Sequence, residues 1–244
     1  DADQETGRRA IKEQKMLEWL HQRSTSFLVP EPFGIVWFSG MMAFATSYME
    51  GVPVELRVSK SYGKPPWEIV GSIAAEIHQL PVLDLPSDKS SYPTWRDHVV
   101  EAVSTFKSLK PPEIQEAVDW IEENLPPGEP SVLLHGDLLG QNIVWPLSDK
   151  YCVLDWEYSF LGDPAYDLAI VTRGVRRPFQ IPEGLDYLID SYREAGGSEL
   201  AKINIQVHEL LMLLGWYKWS LGGTYGGHGP YQYLARMKSY LRRL

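Results

Sequence analysis

The stretch from His135 to Glu157 constrains the fold of this chain more than any other. A short polar loop, His135-Gly136-Asp137-Leu138-Leu139-Gly140-Gln141-Asn142, is followed by an apolar hairpin and then by Leu154-Asp155-Trp156-Glu157. Strands flanking the loop would hold Asp137, Asn142 and Asp155 on rigid supports, within about twenty residues of one another. Hard oxygen groups so placed suit a divalent cation, and a carboxylate beside them suits a base that takes or orients a hydroxyl proton. Phosphoryl transfer requires that combination, because its enzymes position an acceptor hydroxyl and neutralise charge on the phosphate.

Asp137 can be the base, and Asn142, five residues later, can hold the metal together with Asp155. The Asp-to-Asn spacing equals that of a protein-kinase catalytic loop, and Asp155 stands where such enzymes carry their metal-binding Asp. The plainer alternative makes His-Gly-Asp a turn and Asp155 a strand-end cap. Four elements in the right order, with strands between them, weigh against it.

Composition narrows the classes. The 244 residues are 44% apolar and 23% charged, an ordinary globular balance with room for one large domain or two modest ones. A formal net charge of -9 argues against nucleic-acid binding, which needs a basic face. An acidic surface weakly favours cationic substrates, or serves solubility alone. The one cysteine, Cys152, lies in an apolar run and reads as a buried strand residue. It allows no internal disulfide, so a reduced, cytoplasmic setting is expected. No apolar run approaches a membrane span and no signal peptide is visible, so no membrane partner is expected. The chain opens on Asp1-Ala2-Asp3 with no methionine, which predicts that an upstream part is missing.

Periodicity predicts a first helix over 4–23 with Ala10, Glu13, Leu17 and Leu20 on one face, ended by Pro30 and Pro32. Strands are predicted over 34–37 and 42–49, with Glu50-Gly51-Val52-Pro53 breaking the pattern like a hinge. Helices follow around 70–80, where Val70, Ile73, Ala74, Ile77 and Leu80 recur at helical spacing, and over 93–109 and 112–125. Three short strands are predicted over 132–134, 142–145 and 151–155. Asp163-Pro164 then caps a new helix, and helices at 182–195, 198–221 and 230–244 close the chain.

The chain resembles the aminoglycoside phosphotransferase and choline kinase family, small-molecule kinases of protein-kinase-like fold. The resemblance is carried by His135-Gly136-Asp137 with Asn142, Leu154-Asp155-Trp156-Glu157, and Gly162-Asp163-Pro164 with Asp167-Leu168-Ala169. It implies an α+β fold: a partial small nucleotide lobe and hinge over 1–51, then a mostly helical large lobe over 52–244 containing a short catalytic β-hairpin region. It further implies ATP and Mg2+ as cofactors and a small-molecule hydroxyl acceptor, be it an aminoglycoside, a choline-like amino alcohol, a sugar or a related metabolite. His135 and Asp167 become supports, the latter holding the backbone of the catalytic loop. Glu13 becomes the helix carboxylate that pairs with the phosphate-binding lysine. Ser47 and Met49 become backbone contacts to adenine in the strand leading to the hinge, unless that segment is a plain edge strand. Glu157 would sit near the metal or a cationic substrate, or be a solvated carboxylate.

The acceptor would lie against the last third of the chain, near Glu209, Trp216 and Tyr225. Aromatics beside carboxylates can hold an ammonium group, or can simply pack helices. The basic ending Tyr240-Leu241-Arg242-Arg243-Leu244 does not suit an aminoglycoside site. Gly222 to Gly229 lies between two helices and reads as a loop lining the substrate pocket, not as a phosphate cradle.

One departure matters. The family's Gly-rich loop and its lysine on the strand before the Glu13 helix are not in this sequence, since only Asp1 to Gly7 precede the helix face. The chain as given is therefore expected to bind ATP poorly. Two rivals remain: a catalytically silent kinase-like binding module, and a metal-dependent phosphoesterase, for which the histidine ligands are too few. Neither oligomeric state nor ATP over GTP can be read from the residues.

Overall fold

A computed structural model describes residues 2–38, 41–57, 63–86, 91–146 and 150–244. Helix α1 (Ala2–His21) is followed by an antiparallel hairpin of β1 (Pro32–Phe38) and β2 (Met41–Thr46), with Ile35 opposite Phe44. The expected strand stops three residues early. Ser47 leaves the ladder, its N–H donating to Glu31 O and its hydroxyl accepting from Glu31 N–H. The segment expected only to break the pattern contains a short strand, β3 (Gly51–Pro53).

Helix α2 (Pro66–Gln79) has proline in its first turn and buries Ile69, Val70, Ile73, Ala74 and Ile77, as the spacing predicts. At roughly 1.5–3 kcal/mol per large apolar side chain, this stripe is a main anchor of the fold. Gly71 lets α2 approach α6 (Gly184–Glu194), since a Cβ there would lie 2.9 Å from the Ser191 side chain and the Tyr192 nitrogen. Helix α3 (Trp95–Ser104) is capped by Thr94, whose hydroxyl accepts from Asp97 N–H at 3.2 Å, and α4 (Pro112–Glu123) follows.

The short strands come next. β4 (Val132–Leu134) pairs antiparallel with β7 (Phe160–Gly162), while β5 (Ile143–Pro146) lies between β3 and β6 (Cys152–Val153). β4 matches the expected 132–134, β5 is shifted by one residue from 142–145, and β6 is shorter than the expected 151–155. Asn142 belongs to a 3-10 turn over Gly140–Asn142, and the sixth strand ends before Asp155 because that residue takes a left-handed conformation, φ 65°. β7 was not foreseen. Buried Cys152 sits in β6 as expected, and burial pushes its thiol up to about 12, where it is inert.

Helix α5 (Ala165–Thr172) starts where expected, with Asp163 Oδ1 accepting the Ala165 N–H at 2.9 Å. Helices α7 (Lys202–Ser220) and α8 (Pro230–Leu241) are each shorter than expected by a few residues. One core joins Met16, Leu17, Trp19 and Leu20 of α1 to α2, α5, α6 and the strands; a second joins α3, α4, α7 and α8. Helix α7 lies between them, giving Ile205 and Met212 to the first and Leu210, Leu213 and Leu214 to the second. Among the described residues, no helix is long and apolar enough to cross a membrane.

Candidate active site

Pairing of β4 with β7 brings His135-Gly136-Asp137 across the turn at Trp156–Tyr158. Gly136 has φ +84°, and a Cβ there would lie 2.2 Å from the Tyr158 carbonyl oxygen, so only glycine fits. Asp167, in the first turn of α5, locks the loop. Its Oδ1 accepts from Gly136 N–H at 2.9 Å, and its Oδ2 accepts from His135 N–H at 2.8 Å and lies 3.1 Å from His78 Nε2. Burial alone would raise the Asp167 carboxyl, but His78 and His135 outweigh it and hold the group below its ordinary range.

The His135 ring is a strut. Its Nε2 donates to Leu154 O at 2.8 Å and its Nδ1 accepts from Asp137 N–H at 3.2 Å, a pairing that needs the neutral ring. Complete burial lowers its pKa and keeps that form. The expected supporting roles of His135 and Asp167 thus rest on explicit hydrogen bonds.

The Asn142 amide nitrogen donates to Asp137 O at 2.8 Å and to Asp137 Oδ2 at 3.1 Å. Its Oδ1 is thereby turned away and has no hydrogen bond among the described residues. Asp137 is half-buried, and burial raises its carboxyl even though His135, Asn142 and Arg173 oppose the rise. Asp155 is raised by burial and then by the charges of Glu157 and Asp137. Glu13 reaches the same place from α1, its Oε1 accepting from Trp156 N–H at 3.3 Å. Burial is the main cause that pushes Glu13 up to about 7, with Asp155 and Glu157 adding to it. Glu157 is drawn toward Arg9, 3.7 Å away, whose guanidinium also donates to the Tyr158 hydroxyl at 2.6 Å.

Asp155 is thus in electrostatic reach of Asp137, Glu157 and Glu13, and Asp137, Asn142 and Asp155 offer hard oxygen ligands, a donor set that fits Mg2+. Among the described residues, no three His, Cys, Asp or Glu side chains gather closely enough to hold an ion alone. This suits a cation that takes part of its shell from phosphate oxygens and water.

Beside Asp137 opens a cavity of about 540 Å3, lined by residues of α3, α5 and α7 and by Tyr225 of the 222–229 loop. Trp216 and Tyr225 line it, as the sequence suggested. Glu209 does not. Its carboxylate is buried and accepts from Thr172, Tyr240 and, at 3.0 Å, the Gly174 N–H, so it joins α7 to α5 and α8 instead of facing a ligand. Glu157 is also outside the cavity lining. Sequence reasoning missed Tyr158, Tyr166, Arg173, His98 and His208, all of which line it. Arg173 alone had a signal, the basic run Arg173, Arg176, Arg177 just past the Asp167 helix. At the hinge, the Ser47 N–H is spent on Glu31 O, which leaves its carbonyl and the Met49 N–H without a backbone partner among the described residues.

A family model described as the phosphotransferase enzyme family matches residues 2–202. The chain belongs to that family. It is 30% identical over 166 residues to acyl-CoA dehydrogenase family member 11 of Gallus gallus, covering 62% of this chain and 21% of that protein. The chain thus spans about a fifth of that curated relative. Among solved structures, macrolide 2'-phosphotransferase type I matches with a TM-score of 0.63 at 20% identity, over 96% of this chain and 78% of the other. Spectinomycin phosphotransferase APH(9)-Ia, in complex with ADP and spectinomycin, matches with a TM-score of 0.56 at 17% identity, over 93% and 78%. At such identities the likeness establishes the fold, the protein-kinase-like α+β architecture of these phosphotransferases.

Proposed function

We propose that this phosphotransferase-family chain transfers the γ-phosphoryl group of ATP to a hydroxyl of a small molecule held beside Asp137. The observation that carries the reading is that Asp137, hydrogen-bonded to Asn142 and in electrostatic reach of Asp155, lines a cavity large enough for such an acceptor. The ADP bound to a structural neighbour supports an adenine nucleotide. Residues 1–51 are assigned to nucleotide binding, with the Ser47 carbonyl and Met49 N–H reading adenine, and 52–244 to catalysis and acceptor binding. We read the location as cytoplasmic, a setting with which the free, buried Cys152 is compatible.

Asn142 Oδ1 and the Asp155 carboxylate would hold Mg2+, which supplies charge neutralisation on the phosphates when bound. The remaining work falls to the chain itself. Asn142 holds Asp137 Oδ2, leaving Oδ1 to face an acceptor hydroxyl. The hydroxyl oxygen bonds to the γ-phosphorus, the bond to the bridging oxygen breaks, ADP leaves, and the hydroxyl proton passes to Asp137. A carboxyl raised by burial takes that proton more readily than a solvated one.

In the complete gene product with MgATP, Asp137→Ala should lower kcat by about 10²-fold or more, the contribution of a positioned base, with KM for ATP little changed. An unaltered rate would remove Asp137 from the mechanism. A silent binding module is favoured by one observation: among the described residues Glu13 has no cationic partner, although it is read as the partner of a phosphate-binding lysine. Titration calorimetry of the complete gene product with Mg2+ and ATP separates the two, and absence of nucleotide binding there would favour the module. A two-metal phosphoesterase is opposed by the lack of any three-ligand cluster among the described residues.

A further inference from the structure

A second cavity, of about 560 Å3, adjoins the first and shares Arg173 with it. Its walls come from the segment after the hinge, from the end of the catalytic loop and from the turn after α5. They carry three arginines: Arg57, Arg173 and Arg177. In a chain of net charge -9, Arg9, Arg193, Lys107 and Lys202 all make ion pairs with carboxylates. The guanidiniums of Arg57, Arg173 and Arg177 make none among the described residues, as is usual for exposed cations here; what sets them apart is that all three line one cavity, with Arg173 also in electrostatic reach of Asp137. Glu55 is the one carboxylate in this lining, and its Oε1 accepts from the Arg57 backbone N–H at 2.7 Å.

Arg173 is the joint between the cavities. It is the C-cap of α5 with φ 51°, a left-handed position where glycine or asparagine is usual, and Gly174 follows it at φ 64°. A long cationic side chain is thus kept at a strained backbone site facing both spaces, a pattern that clusters at ligand sites.

The first cavity is poorly suited to a cation. Arg236 lies 5.3 Å from the Trp216 ring centre, Lys218 5.7 Å from that of Phe106 and Arg9 5.0 Å from that of Tyr158. Three of its aromatic rings are already engaged by the protein's own cations, and Asp137 is the one carboxylate in its lining.

We propose that Arg57, Arg173 and Arg177 form an anion subsite, and that the acceptor is an alcohol with an apolar body and a carboxylate or phosphate group. This rests on the reading of the first cavity as the acceptor site. The apolar body lies among the aromatics, the hydroxyl meets Asp137, and the anion meets Arg173 and its two neighbours.

The test uses calorimetry on the full chain with four matched probes: 8-hydroxyoctanoate, 8-hydroxyoctyl phosphate, 1,8-octanediol and 8-amino-1-octanol. The two anions should bind about tenfold or more tighter than the diol, the size of one charge-assisted pair, and the amine most weakly. The stronger of the two anions identifies the group that the subsite takes. In folded Arg57→Gln/Arg177→Gln, confirmed by circular dichroism, the preference should fall to within about threefold, and 0.5 M salt should also shrink it in the parent. Failure of both anions to bind, equal affinity for the amine, or a preference intact in the variant would overturn the subsite. Binding with the predicted preference but no phosphate transfer by the complete gene product with MgATP would instead refute the phosphotransferase reading and leave the subsite standing.

Discussion

Asp167→Asn tests whether the catalytic loop is held as its hydrogen bonds indicate. The carboxylate is fully buried and accepts from two backbone N–H groups and from His78. An amide offers one oxygen and one NH2, so in either orientation its nitrogen faces a donor and leaves at least one buried N–H unpaired. That costs about 1–3 kcal/mol, and losing the charge assistance adds roughly 1 kcal/mol more. We expect a loss of about 2–4 kcal/mol, a Tm lower by roughly 5–15 °C for a chain of this length. Because the Asp167 carboxyl is held below its ordinary value, it binds fewer protons folded than unfolded. Its contribution is therefore complete above the ordinary aspartate range and lost as pH falls through the folded pKa, so the gap between parent and variant should narrow below about pH 4. Urea denaturation at pH 7 and pH 3.5 measures both effects. Loosening of 135–137 should also reduce kcat ten- to a hundredfold, with KM for ATP changing less. A variant within about 0.5 kcal/mol of the parent, with the same kcat, would refute the account of Asp167 as the loop's anchor.

Asp155→Ala should weaken Mg2+-dependent nucleotide binding while leaving metal-free binding alone; equal MgATP affinity by calorimetry would count against a metal role. Gly136→Ala combines a φ of +84° with a Cβ 2.2 Å from Tyr158 O, and should cost about 3 kcal/mol or more, read from the urea midpoint. Glu13→Gln should stabilise the chain at high pH. With its pKa raised to about 7, Glu13 binds more protons folded than unfolded, so stability falls as pH rises from about 4.5 to 7. Glutamine removes that loss, by about 1–2 kcal/mol at pH 8 once partial exposure is allowed for, and by almost nothing at pH 4.5. A pH-independent effect would contradict the burial of its charge.

The parts legible in the sequence are those whose partners lie close along the chain. Asp137, Asn142 and Asp155 could be placed because one hairpin joins them, and α2 because its apolar stripe repeats every three or four residues. β3 and β7 have three residues each, too few for a periodic signal, and β3 pairs with residues about ninety positions away. Glu209 misled because a carboxylate among aromatics resembles a cation site, although α7 is buried on nearly every side and any ionisable group at its centre must be paired internally. Acceptor recognition is harder to read for the same reason. The cavity draws two residues each from α3 and α5, one from the 222–229 loop and six from α7, whose stripe from His208 to Trp219 reads in sequence as ordinary helix packing. Arg173 shows why charge counts along the chain fail at this level: the chain is acidic overall, yet the second cavity is lined by three arginines and one carboxylate, Glu55. An acidic composition, which only weakly favours a cationic substrate, says nothing of such a local basic cluster.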